Sequence, residues 1–360
     1  VIANPSLKWE TQISTDIALE FGLFDRLTGT IEYFKKDSKD LLFDVSQPAS
    51  VGVTSIIQNI GKVTNSGVEI ELDYNAFKNK DWSVSVGANA TFVKNKIKNL
   101  PATMKENGYI SGSKKWLEGK SIYEFWLRQW HGVDPQTGDG LYVADVSKYN
   151  QGNIGTGDGN ITQSQFDEYK KTVVTIDGKE LTNSYTYAKY DFSGSSIPDV
   201  YGGFNVRVSY KNFELAAVFS YQLGGQILDT NYATMMSMTE FGYAQSPDLL
   251  KAWKQAGDIT EVPRIDNSAA HTTNIGQSYS TRWLTSSDYL NLRSVTIGYQ
   301  LPKTWLSKVM LKSARLNLTA ENLFMLKARQ GLNPMANYSG VTYNEYMPSR
   351  NITLGLNVSF

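Results

Sequence analysis

Apolar and polar residues alternate strictly over the last ten positions of the chain. Ile352, Leu354, Leu356, Val358 and Phe360 occupy the even positions, and glycine or small polar residues occupy the odd ones. A period of two places all five apolar side chains on one face of a β-strand. The length also fits a bilayer, because a tilted transmembrane strand needs roughly 9 to 11 residues. The pattern predicts a transmembrane strand, although a soluble sandwich strand could alternate in the same way.

Similar patterns recur along the chain. The predicted strands cover residues 13–21, 27–35, 68–76, 82–92, 123–133, 141–146, 204–210, 213–221, 289–301, 314–323 and 351–360. The strand at 314–323 is the predicted neighbour of the last strand. Within residues 289–301 the apolar parity shifts between Leu292 and Val295, which predicts a β-bulge. Short helical segments are predicted at 247–255 and within 302–312.

The connections between these strands alternate between short and long. Short turns are predicted near residues 24, 79, 137, 211 and 306, and long loops at 36–66, 100–120, 147–199, 225–287 and 325–350. Short periplasmic turns and long extracellular loops are typical of outer-membrane barrels. The predicted fold is therefore all-β, a transmembrane antiparallel β-barrel with about eleven strands. Bacterial single-chain barrels have an even strand number, so this odd count favours a piece of a larger barrel.

Composition narrows the functional classes. The 360 residues contain 35 basic and 35 acidic side chains, which argues against a nucleic-acid binder. No stretch of 18 or more apolar residues is present, which excludes transmembrane helices. The chain has no cysteine, so thiolate catalysis, thiolate metal sites and disulfides are excluded. No cofactor is predicted.

The predicted strands carry charged and polar side chains on their non-apolar face. Residues two apart on one strand face lie about 7 Å apart, and the row Glu69, Glu71, Asp73 has no neighbouring His or Cys partner for acid–base chemistry. We predict that these residues form a water-facing lumen wall. The predicted wall residues are Glu69, Glu71, Asp73, Asn89, Arg207, Arg315 and Glu321.

Other candidate chemistry is weak. Asp158 lies in a Gly-Asp-Gly-Asn-Ile segment that resembles the middle of a calcium loop, but oxygen ligands are missing before it and Gln165 replaces the closing Glu. A Gly-rich turn is the favoured interpretation. The two histidines, His131 and His271, have no metal or triad spacing and are predicted to be surface or wall residues. The Ser-Gly-Ser-Lys match ending at Lys114 has no second motif to support it.

Aromatic residues suggest two roles. Those near strand ends are predicted to form an interfacial girdle, namely Trp9, Tyr74, Trp82, Tyr210, Phe213, Tyr221, Tyr299 and Phe360. Those in polar loops are candidate substrate contacts, because such mixtures stack on sugars or grip peptides, with loop-against-loop packing as the alternative. These candidates are Trp116, Tyr149, Tyr187, Tyr190, Tyr243, Tyr338 and Tyr343.

Five blocks resemble the C-terminal half of the SusC/RagA family of TonB-dependent transporters. They are residues 4–10 (NPSLKWE), 59–69 (NIGKVTNSGVE), 289–302 (YLNLRSVTIGYQLP), 320–324 (AENLF) and 348–360 (PSRNITLGLNVSF). The resemblance implies a 22-stranded Bacteroidetes outer-membrane barrel with an N-terminal plug, energy from the TonB complex and a SusD-like surface lipoprotein as partner. Residues 1–360 would be the C-terminal part of the barrel domain, without the plug and the first strands. Phe360 would be the residue recognised by the assembly machinery.

The resulting functional prediction is an outer-membrane importer of oligosaccharides or peptides that performs no covalent chemistry. Its other partners would be the remaining plug and barrel half of the same transporter and outer-membrane lipid. Two alternatives stay open at this point. One is a self-contained porin-like or adhesive barrel, and the other is a soluble all-β carbohydrate-binding protein or surface enzyme.

Overall fold

A computed structural model describes residues 4, 6–46, 55–157, 159–238, 242, 244–307, 311–343 and 345–360, with the side chains of residues 45, 46 and 55 left out. Its strands are β1 (Thr11–Leu23), β2 (Leu27–Ser46), β3 (Ser55–Lys78), β4 (Trp82–Asn99), β5 (Tyr109–Ser111), β6 (Lys114–Trp116), β7 (Glu124–Arg128), β8 (Trp130–Val133), β9 (Gly140–Val143), β10 (Val173–Ile176), β11 (Lys179–Thr182), β12 (Tyr190–Ser195), β13 (Val200–Tyr210), β14 (Phe213–Leu223), β15 (Gln226–Leu228), β16 (Leu284–Ser286), β17 (Tyr289–Gln300), β18 (Ser313–Glu321), β19 (Met325–Lys327) and β20 (Asn351–Ser359).

Helices are few and short. The α-helices are α1 (Gln163–Thr172), α2 (Thr230–Met235), α3 (Ala269–Ile275) and α4 (Lys303–Leu306). Single 3₁₀ turns cover Ala102–Met104, Gln151–Asn153, Tyr185–Tyr187, Pro247–Lys251 and Thr281–Trp283. The turn at Pro247 and helix α4 lie within the two predicted helical segments. Over the described ranges, none of the helices has the length and apolar character needed to cross a membrane.

One large antiparallel sheet dominates the molecule. Its strand order is β1-β2-β3-β4-β13-β14-β17-β18-β20, and the short β19 pairs with β17. The prediction that residues 314–323 neighbour the last strand is confirmed, because β18 pairs with β20 along its whole length. Nine of the eleven predicted strands lie in this sheet, and two do not. Residues 123–133 and 141–146 form β7, β8 and β9, which belong to small separate sheets.

The outward face of the large sheet is apolar. On β20 the side chains of Ile352, Leu354 and Leu356 are 73%, 69% and 63% exposed, as the alternation predicts. Paired residues of antiparallel strands share a face, so Leu354 forms a row across the sheet with Leu318 of β18 and Ile297 of β17. Both of those side chains are exposed too. A large exposed apolar face of this kind suits lipid and does not suit a soluble sandwich.

Aromatic side chains gather on this face beside the short turns. Trp82 packs against Tyr210 with ring centroids 4.3 Å apart, and Phe213 packs against Tyr299 at 4.4 Å. All four stand next to the turns at residues 79–81, 211–212 and 301–312, in adjacent strands of the sheet. Their arrangement is that of an interfacial aromatic row.

The predicted bulge is confirmed. Val218 of β14 pairs with Ser294, whereas Phe219 pairs with Leu292, so Arg293 is the extra residue of β17. The extra residue changes the face on which the following residues of β17 lie. Leu292 and Val295 therefore both stay on the apolar face of the sheet, although they are three positions apart.

The predicted long loop at 36–66 is wrong. Strand β2 runs to Ser46 and β3 begins at Ser55, so the two strands form one hairpin that extends far beyond the apolar segment. Polar contacts help to hold this extension. The Asn59 side-chain amide donates to the carbonyl oxygens of Lys8 and Asp40 at 2.8 and 2.7 Å. Apolar periodicity is absent there, which is why the sequence pattern resembles a loop.

The described residues of the long connections 100–199, 224–288 and 322–350 fold together into one layer, which we call the outer-loop layer. It contains the sheets β10-β11-β9-β8 and β12-β7-β6-β5 and the pair β15-β16. A shared hydrophobic core joins the three connections, because Phe125 and Leu127 pack with Leu228, Trp283 and Val341. The predicted short turn near residue 137 lies in this layer, between β8 and β9, and not at the wall.

Candidate functional site

The predicted lumen-wall residues all lie on the polar face of the sheet. Glu71 pairs with Asn89 across β3 and β4, and Asp73 lies in the row that runs through Gly87 and Asn205 to Ser294 and Glu321. The remaining three, Glu69, Arg207 and Arg315, fall on the same face by the same register. Along β1 the side chains on this face are exposed from Gln12 to Glu20.

A glycine allows one ion-pair network on this wall. Arg315 of β18 reaches over β17 to Glu214 of β14, with Nη2 and Oε2 2.7 Å apart, and Arg207 lies 3.5 Å from the same carboxylate. Gly298 stands between them in the register, and a Cβ there would lie 2.7 Å from the Arg315 guanidinium. The absence of a side chain at Gly298 keeps the path open. Both arginines are predicted wall residues, but Glu214 is not among them, because its partners lie one and two strands away from it in the sheet.

The loop aromatics divide into buried and open positions. Tyr149 is buried and stacks on Tyr169 at 5.2 Å, and Tyr187 packs edge-on against Tyr149 at 4.9 Å, within a small core with Ala144 and Ile161. These two tyrosines pack loop against loop, which was the alternative interpretation. Both rings help to hold the outer-loop layer together, and Tyr187 is partly exposed.

Other aromatic candidates are more accessible. Trp116 is half-buried between Phe43 and Tyr109, and Tyr190 lies parallel to Trp126 with centroids 6.2 Å apart. Tyr338 and Tyr343 are exposed, and Tyr338 contacts Tyr123 edge-on. The candidate Tyr243 lies outside the described residues. These positions remain predicted ligand contacts.

Tyr338 lines a small cavity of 140 Å³ where the wall meets the outer-loop layer. Gln222 and Tyr289 contribute from the polar face of β14 and β17, and Gln226 and Ser196 contribute from the loops. The Oε1 atom of Gln226 is buried and has no protein partner among the described residues. Since a buried polar atom normally has a hydrogen-bond partner, this point of the inner surface is suited to hold water or a polar ligand group.

The Ser-Gly-Ser-Lys segment that ends at Lys114 joins β5 and β6 as a hairpin. Lys114 Nζ donates to the carbonyl oxygen of Tyr123 and lies over the Phe125 ring, and burial lowers the pKa of this amine to about 7. Ser111 faces it only as its hairpin partner. Asp158 lies outside the described residues, and the rest of the described chain has no group of three or more metal-binding side chains.

His271 is buried in the outer-loop layer, so its prediction as a surface or wall residue is wrong. Its Nδ1 lies 3.7 Å from Asp139, and its Nε2 lies 2.8 Å from the carbonyl oxygen of Arg264. Arg264 also pairs with Asp139 at 2.9 Å and with Asp266 at 3.1 Å. Together Asp139, Arg264, Asp266 and His271 form a polar clamp that ties the β8–β9 turn to the segment before α3. His131 is exposed.

The clamp gives the outer-loop layer a pH dependence. The hydrogen bond with His271 and the charge of Arg264 hold the pKa of Asp139 below its usual value, against the opposing effect of burial. A lowered folded-state pKa means that this contribution to stability is complete above about pH 4 and is lost as the pH falls further.

We therefore expect amide-exchange protection of residues 253–275 to stay constant down to about pH 4 and to fall below it, as measured by hydrogen exchange with mass spectrometry. In Asp139→Asn the protection should be lower at pH 6 and nearly independent of pH. An unchanged pH profile in this variant would show that another group controls the segment.

Comparisons with known proteins agree with this architecture. A family model described as TonB dependent receptor-like, beta-barrel matches residues 1–159. TonB-dependent receptor P3 of Formosa agariphila is 29% identical over 99% of the chain and 35% of its own length. TonB-dependent receptor SusC of Bacteroides thetaiotaomicron is 24% identical over 99% of the chain and 32% of its own length.

Solved structures give the same result. Structures of the RagAB peptide transporter, and of the RagAB peptide importer in a closed-closed state, superpose with a TM-score of 0.77 over the whole chain and 36% of the matched chain, at 25% and 26% identity. The open-open state gives a TM-score of 0.72. The chain spans about a third of the length of these relatives.

The apolar and polar faces of the sheet fit these matches, which show that the chain is similar to TonB-dependent receptor β-barrels of the outer membrane. Its relatives are the SusC and RagA type of receptor, over the whole of its length. The resemblance read from the five sequence blocks is thereby confirmed.

Proposed function

We propose that the protein containing this chain imports oligosaccharides or peptides across the outer membrane, with energy supplied through TonB. The observation that carries the proposal is the superposition of the complete chain on the RagAB peptide transporter, loops as well as strands. In that match the outer-loop layer is included, and loops of this kind are where a barrel contacts its ligand. A peptide is therefore the first substrate class to test.

A surface lipoprotein of the SusD type is the proposed partner. The RagAB structures are complexes of a related receptor, and the exposed Tyr343, Tyr346 and Leu250 give the outer-loop layer apolar surface for a second protein. The remaining barrel strands and the plug are the other proposed partners, because β1 and β20 stand at the two edges of the described sheet. The acidic row Glu69, Glu71, Asp73 would then face the plug or the periplasmic vestibule.

The test is uptake by cells that carry the native gene. A strain with the gene deleted should lose growth on a defined peptide mixture or oligosaccharide as limiting nutrient, and the loss should be restored by the complete gene. Removing TonB should give the same defect, because the proposed transport is energised. Uptake that requires the gene but persists without TonB would favour the porin-like alternative and refute this proposal.

A further inference from the structure

A cavity of 330 Å³ lies where the three long connections of the outer-loop layer meet. Each connection supplies part of its wall, and the residues that matter most are Trp130, Tyr232, Glu261, Arg282, Trp283 and Arg329. Residues from three separate loops thus converge on one concave surface. Neither the sequence motifs nor the alternation of apolar and polar residues predicts this cavity.

Arg282 is the unusual member of this surface. Its Cζ lies 4.7 Å from the ring centroid of Trp130 and 4.3 Å from that of Trp283, so aromatic rings contact the guanidinium. Its Nη1 donates to the carbonyl oxygen of Ile275 at 3.0 Å. Desolvation lowers the pKa of Arg282 to about 10, which leaves the group charged at neutral pH.

No carboxylate of the described residues forms an ion pair with Arg282, unlike the second arginine of the cavity. Arg329 pairs with Asp229 at 3.1 Å and lies over the Tyr232 ring at 3.6 Å. Its charge is therefore already compensated. A desolvated cation without a counter-ion is costly, and an anionic ligand group would supply the missing charge.

We propose that this cavity binds a carboxylate group of the imported molecule, with Arg282 as the principal contact. A carboxylate accepts two parallel N–H donors from a guanidinium edge, and the tryptophan rings exclude water from that pair. The inference rests on the proposed function, since it assumes that the outer-loop layer meets the ligand. The carboxylate could come from the C-terminus of a peptide or from a uronic acid residue of an oligosaccharide.

Glu261 allows a second, independent test of the proposed carboxylate site. Among the described residues that line the cavity it carries the only carboxylate, and its side chain is exposed. It repels an incoming anion, and its side chain forms no hydrogen bond or ion pair with the other described residues. Replacing it should therefore change affinity for acidic ligands without affecting the fold.

The experiment is calorimetric titration of the intact receptor, purified with its partner lipoprotein. The probes are a mixed glycine–alanine hexapeptide with a free carboxylate, the same peptide as its C-terminal amide, hexagalacturonate and maltohexaose. We expect one acidic probe to bind at least tenfold more tightly than its neutral counterpart, and the pair that differs identifies the source of the carboxylate. Arg282→Met should weaken binding of that acidic probe by roughly tenfold and leave the neutral probe unchanged.

Glu261→Gln should tighten binding of the acidic probe severalfold, and Glu261→Lys should tighten it more. If Arg282→Met melts at a much lower temperature than the wild type, the carboxylate site is tested by the two Glu261 variants, because Glu261 is exposed. Equal binding of acidic and neutral probes, no binding of any probe, or no response to both Glu261 variants would overturn the carboxylate site. TonB-dependent uptake of a neutral nutrient with no acidic preference would refute this site alone, whereas an acidic preference without uptake would refute only the proposed function.

Discussion

Leu354→Arg is expected to reduce the folded receptor in the outer membrane to a small fraction of the wild-type amount, whereas Thr353→Arg leaves it nearly unchanged. The two residues are neighbours in the middle of β20, but they lie on opposite faces. Leu354 is 69% exposed on the apolar face, beside Leu318, while Thr353 pairs with Thr319 on the polar face. An arginine facing lipid near the membrane midplane costs about 2–4 kcal/mol, and one facing the lumen remains hydrated.

Extraction of the outer membrane followed by gel electrophoresis with and without heating would measure this difference. Folded barrels migrate anomalously until they are heated, so the heat-modifiable fraction reports the folded population. The matched pair controls for the size and charge of the new side chain. Equal assembly of both variants would mean that the apolar face of β20 does not meet lipid.

Gly67→Ala is expected to impair assembly strongly, in contrast with Gly355→Ala. Gly67 lies in β3, and a Cβ there would meet the carbonyl oxygen of Phe92 and would lie 2.6 Å from the Phe34 ring. The backbone oxygen belongs to the paired strand β4 and has no room to move without breaking the ladder. Overpacking of this kind costs about 1–3 kcal/mol.

Gly355 is the matched control. It also lies within a strand, at the centre of β20, and nothing stands within 4 Å of a Cβ placed there. Alanine at this position should therefore assemble and melt like the wild type, as followed by heat-modifiable mobility and by circular dichroism of the purified barrel. Comparable losses in both variants would show that strand propensity, and not the contact with Phe34 and Phe92, governs these positions.

The bulge at Arg293 is a detail of the fold that the pattern of apolar residues predicts. Leu292 and Val295 cannot share a face in a regular strand, and lipid requires that they do, so a one-residue insertion follows from the sequence alone. The extension of β2 and β3 is a part of the fold that this pattern does not predict. Beyond the apolar segment the ladder is held by hydrogen bonds such as those of Asn59, which leave no periodic signal.

Less of the candidate site could be predicted from the sequence. The polar face residues could be selected because parity assigns a face to every strand residue once the apolar face is known. Tyr149 and Tyr338 could not be separated in the same way. Both lie among small polar residues in the sequence. In the structure Tyr149 is buried against Tyr169, whereas Tyr338 is exposed and lines a small cavity.

The sequence by itself determined the wall of this protein, because a bilayer imposes a strict period of two and β20 displays it from Ile352 to Val358. Only the tertiary structure decided the outer-loop layer. Its contacts join residues far apart in the chain, as where the Trp130 amide donates to Thr281 across 151 positions, and no local periodicity encodes such pairs. The polar clamp around Asp139 and the position of Arg282 between Trp130 and Trp283 therefore depend on how the three loops pack together.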